Sequence, residues 1–380
     1  MRPPREQLDA RVFPGWLEAI AIGIASRVFS VAFLVGAWAL HWPPVGWASF
    51  DNPFVIWDGS WYTFIAANGY HAGAVVPSQY GPGLHDFAFF PAWPMLLRAL
   101  SLGNQLPMDV VAPLAANVLF LVATIPIFAV LERVGGRTFA RWGLALFAFS
   151  PAGYVYSLAY SEPLYLVLAG LFFLAVGRQA TAARTRSTVG AVIFAAGTQL
   201  VRVTGAALAF ASLPDLLRSQ TRPRGLLVIG ACIAAFAAWW LWIANLTGDF
   251  WGYLLGTPSW FLNQRPTPIA TGIASFFDPG LSLWWTSAIA IGLIVVLTLG
   301  TRWLWRQGEM RLALFSLACI ASTMLDTQTT MPRLASIAFP AFAGLAAILP
   351  SDRWRWAALL GFAGLQGYYA ANVVQRLVVP

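Results

Sequence analysis

Apolar runs near 17–40, 109–131, 139–158, 160–177, 187–214, 225–245, 284–301, 310–326, 333–350 and 356–374 follow one another along this chain. Most are about as long as a helix needs to cross the roughly 30 Å of hydrocarbon in a bilayer. With 59% hydrophobic and 10% charged residues, the chain is far from the roughly 25% charged content of a soluble domain. The expected class is therefore an all-α, polytopic membrane protein with about nine to eleven spans. A single transmembrane unit covers 1–380, with no internal repeat, low-complexity run or soluble domain along it.

The formal charge of +8 comes from arginine, the chain having no lysine. Nucleic acid would need one contiguous basic stripe, and these arginines are scattered between the apolar runs instead. They gather as Arg2/Arg5/Arg11, Arg133/Arg137/Arg141, Arg178/Arg184/Arg186, Arg218/Arg222/Arg224, Arg302/Arg306/Arg311 and Arg353/Arg355, which by the positive-inside bias marks cytoplasmic loops and a cytoplasmic N-terminus. Arg98, Arg265, Arg333 and Arg376 fall to the other side. Alternation works except at 187–214, which has arginine at both ends and is expected to be a re-entrant pair turning near Arg202-Val203-Thr204-Gly205. Irregular backbone at that depth has to be covered by protein or water. The first run is too long for a signal-peptide core and no small-residue cleavage site follows, so it reads as an uncleaved span. Cys232 and Cys319 lie within spans and suggest small buried hydrophobes.

Two outward segments, 41–108 and 246–283, are long and rich in Trp, Pro and Gly. Loops of this length are usually functional or disordered, and the aromatic content argues against disorder. In the first, Asp58, Trp61, Tyr62 and Ile65 recur at helical spacing, with Asp58 placed as an N-cap and Gly69 as a stop. Asp86 precedes Phe87-Ala88-Phe89-Phe90-Pro91-Ala92-Trp93-Pro94, which the prolines suggest dips into the outer leaflet and returns.

Asp58 has two readings, a cap worth about 1 kcal/mol and a general base held among aromatics. His41, His71 and His85 all fall in this outward region, without HxxxH or HExxH spacing, so they read as solvated or acceptor-binding groups and no metal is assigned. Glu162 opens an apolar run at the outward end of a hairpin, where an ionisable residue suggests function and capping before Pro163 is the plain alternative. Arg333 and Arg202 suit a phosphate through the planar fork of the guanidinium; pairing of Arg333 with Asp326, or a structural ion pair at Arg202, would explain them equally. Arg27, inside the first span, is accounted for by interior pairing or snorkelling.

The stretches WDGSWYTFIAANGY, FAFFPAWP, PAGYVYSLAYSEPLY, LVRVTG and MPRLASIAFPAFAGLA occur in an order that resembles the PIG-V-like mannosyltransferases of the GT-C class, over most of the chain to about residue 350. The resemblance implies an inverting glycosyltransferase that moves a sugar, usually mannose, from a polyprenyl-phosphate carrier to a lipid or glycolipid acceptor outside the cytoplasm. It implies Asp58 as base, Glu162 as the acidic residue of the hairpin and Arg333 as the arginine of the last motif. Trp57, Trp61 and Tyr62 would shape the sugar pocket, and Arg333 and Arg202 would stand near the donor phosphate, with Glu162 and His85 assisting. His85-Asp86 stands where the family often carries Glu or His before FFP; both are taken as candidate substrate-binding residues, with the part played by Asp86 left open by that departure. No cofactor is called for, because the donor is a substrate that carries its own leaving group. The rivals are a transporter or flippase of lipid-linked sugars, expected to show paired repeats and midplane charges, and a non-catalytic membrane subunit.

Overall fold

In the computed structural model the described residues are 14–42, 51–73, 86–177, 184–253, 284–323 and 331–376. His85, Asp326, Arg265 and most of the 246–283 segment lie outside them. All the regular elements among the described residues are helical: α1 Gly15–Ala39, α2 Asp58–Asn68, α3 Ala92–Leu100, α4 Met108–Ala148, α5 Glu162–Gly177, α6 Arg184–Val201, α7 Ala207–Ala211, α8 Leu213–Leu216, α9 Arg222–Thr247, α10 Trp284–Arg306, α11 Met310–Ser322, α12 Met331–Ser336, α13 Phe339–Ile348 and α14 Asp352–Val374. Gly15–Ala39, Met108–Ala148, Arg222–Thr247 and Ala288–Arg306 are long and apolar enough to cross a membrane, and five shorter apolar helices accompany them. The chain is a multi-pass, all-α membrane protein.

Several expected spans are broken in informative ways. The 109–131 and 139–158 runs form one element, α4, sharply bent at Gly136, whose φ of 82° is a conformation glycine adopts without steric cost. Its second limb is helical only to Ala148, after which Gly153–Ser157 form a 3₁₀ turn. The 333–350 run divides into α12 and α13, because Ala338 leaves the helical conformation just before Pro340 enters at the start of the next helix.

The bundle is centred on α13, whose Phe339, Ala341, Phe342 and Ala343 are fully buried. It crosses α10 at backbone contact: a methyl built on Gly344 would stand 2.1 Å from the Gly300 carbonyl oxygen. On its other side a methyl on Gly143 of α4 would meet Ala343 Cβ at 2.5 Å. Lipid gives no hydrophobic drive between apolar helices, so close packing through small residues is what can hold such crossings.

The 187–214 segment turns where expected. Arg202 is extended (φ −157°), ending α6, and a 3₁₀ turn over Val203–Ala206 leads into α7 and α8. Both ends of this excursion lie at the same end of the bundle: Ser187 Oγ donates to the Ala175 carbonyl, while Asp215 binds Arg224, whose Nη1 donates to the Val176 carbonyl at 3.4 Å. The turn itself lies beside Glu162, at the opposite end of α5.

Arginine is concentrated at the Val176 end. Arg137 and Arg141 pair with Glu18 at the start of α1, Arg224 and Arg311 with Asp215, and Arg355 with Asp352. At the other end Gln375 Nε2 donates to the Ala37 carbonyl, joining the last turns of α1 and α14.

Candidate active site

The extended segment after the 3₁₀ turn, Leu158 to Ser161, is the floor on which the site is built. Its backbone is pinned from the first loop, Ala159 N donating to the Phe54 carbonyl at 2.9 Å, and from α3, Trp93 Nε1 donating to the Ala159 carbonyl at 3.2 Å. Gly59 brings the start of α2 down onto it, a methyl there standing 3.3 Å from Ala159 Cβ. From beneath, Arg27 holds the preceding turn. This guanidinium, 5% exposed, donates to Ser157 Oγ and the Gly153 carbonyl, each at 2.9 Å, and lies 4.2 Å from the Phe120 ring centroid. Arg27 therefore pairs inside the protein, with carbonyl and hydroxyl oxygens and an aromatic face.

On that floor four charged residues converge. Arg333 donates through Nε to Glu162 Oε1 and through Nη1 to Asp58 Oδ2, the latter at 2.5 Å. Arg202 Nη1 meets the same Glu162 oxygen at 2.5 Å. The Arg333 guanidinium also lies over the Tyr160 ring, 4.3 Å from its centroid. Two acids and two arginines give a formally neutral cluster. Buried charges are tolerated only when paired in this way, since desolvation of a lone ion costs several kcal/mol.

Access to the cluster is unequal. The side chains of Glu162, Arg333 and Arg202 are 1%, 5% and 13% exposed, whereas that of Asp58 is 26% exposed. Asp58 is the acid a second molecule can reach. The second carboxylate oxygen of Glu162 is buried and has no hydrogen-bond partner among the described residues.

Asp58 is not a helix cap. It is the first residue of α2, the cap position belongs to Trp57, and neither side chain makes a capping hydrogen bond. Trp57 has φ 48° and ψ −119°, a conformation costly for a non-glycine residue and characteristic of sites whose surroundings over-determine the backbone. Its effect is to start the helix so that the Asp58 carboxylate meets Arg333. Gly69 does stop α2, with φ 81° and its N–H on the Ile65 carbonyl.

Tyr62, one turn beyond Asp58, shares a hydrogen bond with Ser161 Oγ at 2.9 Å. Burial pushes its phenol up to about 12, with Arg202 opposing, so it stays neutral at ordinary pH. Trp61 stacks on Phe89 with centroids 5.7 Å apart, at the edge of the cluster. Asp86 is drawn elsewhere: buried in a 3₁₀ turn, it accepts from the His71 backbone N–H at 2.8 Å and pairs with His71 Nδ1 at 2.9 Å. The FFP element that follows leads directly into a helix. Pro91 precedes α3, Pro94 sits in its first turn where no intrahelical N–H bond is lost, and the helix packs on α2.

Tyr160 and Ser161 were not singled out by sequence. Only their place immediately before Glu162 and the run of hydroxyl-bearing residues there hinted at them.

The fold so described is that of the GT-C class of membrane glycosyltransferases. Residues 46–217 match the family model described as Mannosyltransferase (PIG-V), a segment that carries Asp58, Tyr62, Glu162 and Arg202 and ends before Arg333. Among solved structures the chain is similar to ArnT from Cupriavidus metallidurans bound to undecaprenyl phosphate (15% identity, TM-score 0.53, 88% of this chain and 62% of that one). It is also similar to the oligosaccharyltransferase AglB from Archaeoglobus fulgidus in complex with an inhibitory peptide and a dolichol-phosphate (12% identity, TM-score 0.50, 94% of this chain and 55% of that one). The chain thus spans less than two thirds of the length of either of those chains. No curated protein matches it.

Proposed function

We propose that this protein is an inverting glycosyltransferase that moves a sugar, mannose by the family match, from a polyprenyl-phosphate carrier to a hydroxyl of a lipid or glycolipid acceptor. The observation that carries this is the inequality within the charged cluster: a reachable acid, Asp58, held by Arg333, whose other partner, Glu162, is sealed. The family match over 46–217 and the GT-C fold agree with it.

In this reading the acceptor hydroxyl attacks the anomeric carbon of the donor from the face opposite its phosphate. Asp58 takes the hydroxyl proton as the new C–O bond forms. The bond from the anomeric carbon to the phosphate oxygen breaks, and polyprenyl phosphate departs with the electron pair. Arg333 and Arg202 meet the phosphate charge, which guanidinium forks do well in a site shielded from water. Glu162 orients both arginines and is not itself in contact with the reacting atoms. Trp57, Trp61 and Tyr62 line the approach. Because the donor brings its own leaving group, the reading assigns no resident metal or cofactor, and Asp86, bound to His71, lies outside the chemistry.

The charged cluster and the concentrated arginines occupy opposite ends of the bundle, which by the positive-inside bias supports a cytoplasmic N-terminus and an extracytoplasmic site in the cell membrane. The test is direct: incubate the purified protein with polyprenyl-phosphate mannose and membrane lipid extract, and follow products by mass spectrometry. Appearance of a hexose-extended lipid with matching release of polyprenyl phosphate supports the reading, and donor left intact, with well-folded protein, counts against it.

A further inference from the structure

At the arginine-rich end, remote from the site, a cavity of about 290 Å³ opens between α4, α5, α8 and the start of α11. Its lining divides in two. Arg133, Arg218, Arg311 and Glu309 supply charge, while Phe173 and Val176 are among its apolar residues.

The charges do not cancel locally. Asp215, 1% exposed, is saturated by two arginines, Arg224 with Nη2 at 3.0 Å and Arg311 in close contact. Arg133 lies against the end of α5, its Nη1 standing 3.1 Å from a methyl built on Gly177. Neither Arg133 nor Arg218 is in an ion pair among the described residues. Counting Asp215 and Arg224 with the lining, four cations face two acids. One of those acids, Glu309, is pushed upward by burial, with Arg311 opposing, and so gives up its charge more readily than a free glutamate. In addition, the buried Nε of Arg311 has no acceptor among the described residues. The start of α11 adds to the same wall, with Met310, Arg311 and Leu312 in its first turn. The N–H groups of a first turn have no partner within the helix and favour an anion.

We propose that this cavity binds the phosphate of an anionic phospholipid headgroup, with Arg133, Arg218 and Arg311 around the phosphate and the apolar wall against the glycerol and upper acyl chain. A free phosphate would be served by the cations alone. A wall of Phe173 and Val176 beside them suits an amphiphile, and basic pockets between transmembrane helices are known to take anionic headgroups. This is a second lipid site, independent of the proposed transfer reaction and measurable without turnover.

The test uses native mass spectrometry of the full chain in detergent, titrated with phosphatidylglycerol, phosphatidylcholine or inorganic phosphate. Arg133→Gln/Arg218→Gln, both at exposed positions, should weaken phosphatidylglycerol binding by roughly fivefold per arginine, from about 1 kcal/mol for each basic residue near an anionic lipid. Glu309→Gln should tighten it, because an acid is removed from the lining. Arg353→Gln, an exposed arginine that is not part of the lining, should leave it unchanged. Equal loss in Arg353→Gln and the double variant would reduce the effect to a diffuse field and overturn the site. Retention of phosphatidylglycerol by the double variant would overturn it too. Millimolar inorganic phosphate that displaces phosphatidylglycerol would assign the cavity to free phosphate and overturn the lipid as its occupant.

Discussion

Arg333 and Asp58, 275 residues apart in sequence, meet through Nη1 and Oδ2 at 2.5 Å. The contact joins the first loop to a short helix near the other end of the chain. It also ties the only readily reachable acid of the cluster to a cation that Glu162 holds from behind.

Asp58→Asn separates the roles cleanly. The amide keeps the side chain's size, Arg333 retains Glu162, and no capping hydrogen bond is lost because none exists. Turnover should fall by roughly 10²–10⁴, the usual worth of a general base. Steady-state assays on monodisperse protein that still binds donor would check this; turnover within about twofold of wild type would remove Asp58 from the chemistry.

Glu162→Gln should be costly to stability. It leaves Arg202 and Arg333 close together with Asp58 as their only acid, and removing one partner of a buried pair typically costs about 3–5 kcal/mol. Glu162→Gln/Arg202→Met removes one charge of each sign and should recover much of the loss. Thermal unfolding in detergent reads both variants; a double variant as unstable as the single one would mean that Glu162 acts through something other than charge balance.

Gly344→Ala should destabilise the bundle strongly, since the added methyl would stand 2.1 Å from the Gly300 carbonyl, a backbone atom that can move only if α10 and α13 separate. Gly230→Ala meets nothing within 4 Å and serves as the control. In a helix interior that control should be neutral or stabilising by up to about 1 kcal/mol. Unfolding midpoints of the two variants give the comparison.

The spans, the concentration of arginine at one end and the break at Arg202 were legible because each depends on local composition: apolar length, charge clusters and an arginine before a glycine. Asp58, Glu162, Arg202 and Arg333 stood out for a similar reason, as isolated charges in a chain where charge is scarce. What sequence could not give was the pairing. Arg333 had Asp326 nearby, yet its partners are Asp58 and Glu162, brought to it by helices far away in the chain. The misreading of Asp58 as a cap has a backbone cause, since nothing local announces that Trp57 takes a positive φ. The partner of Asp86 was likewise not legible, because His71 lies fifteen residues away along the same loop. Tyr160 was invisible because an aromatic in an apolar run signals packing, and only the guanidinium above it gives it a further role.

Topology is open to labelling with little background, because Cys232 and Cys319 are both buried. Arg222→Cys, at an exposed position on the arginine-rich end, should react with a membrane-impermeant maleimide only from the cytoplasmic side. Asp51→Cys, exposed in the first loop, should react only from outside. Labelling of position 222 from outside in intact cells would invert the map and move the proposed site to the cytoplasm.

Arg27 offers a test of whether the site depends on its floor. The residue touches none of the four clustered charges, yet it holds Ser157 and Gly153 in the turn that leads to Tyr160, Ser161 and Glu162. Arg27→Met keeps an apolar stem of similar reach and deletes the donors, each hydrogen bond to a charged group being worth about 1.5–3 kcal/mol. Stability should therefore drop by a few kcal/mol, from two such bonds with partial relaxation. If the turn positions the cluster, turnover measured well below the melting temperature should fall as well, with donor affinity less affected, because Arg202 and Arg333 sit on other elements. Arg27→Lys restores one donor without the fork and should lie between the two in both measurements. A lower melting temperature with unchanged turnover at low temperature would make Arg27 a staple of the fold alone.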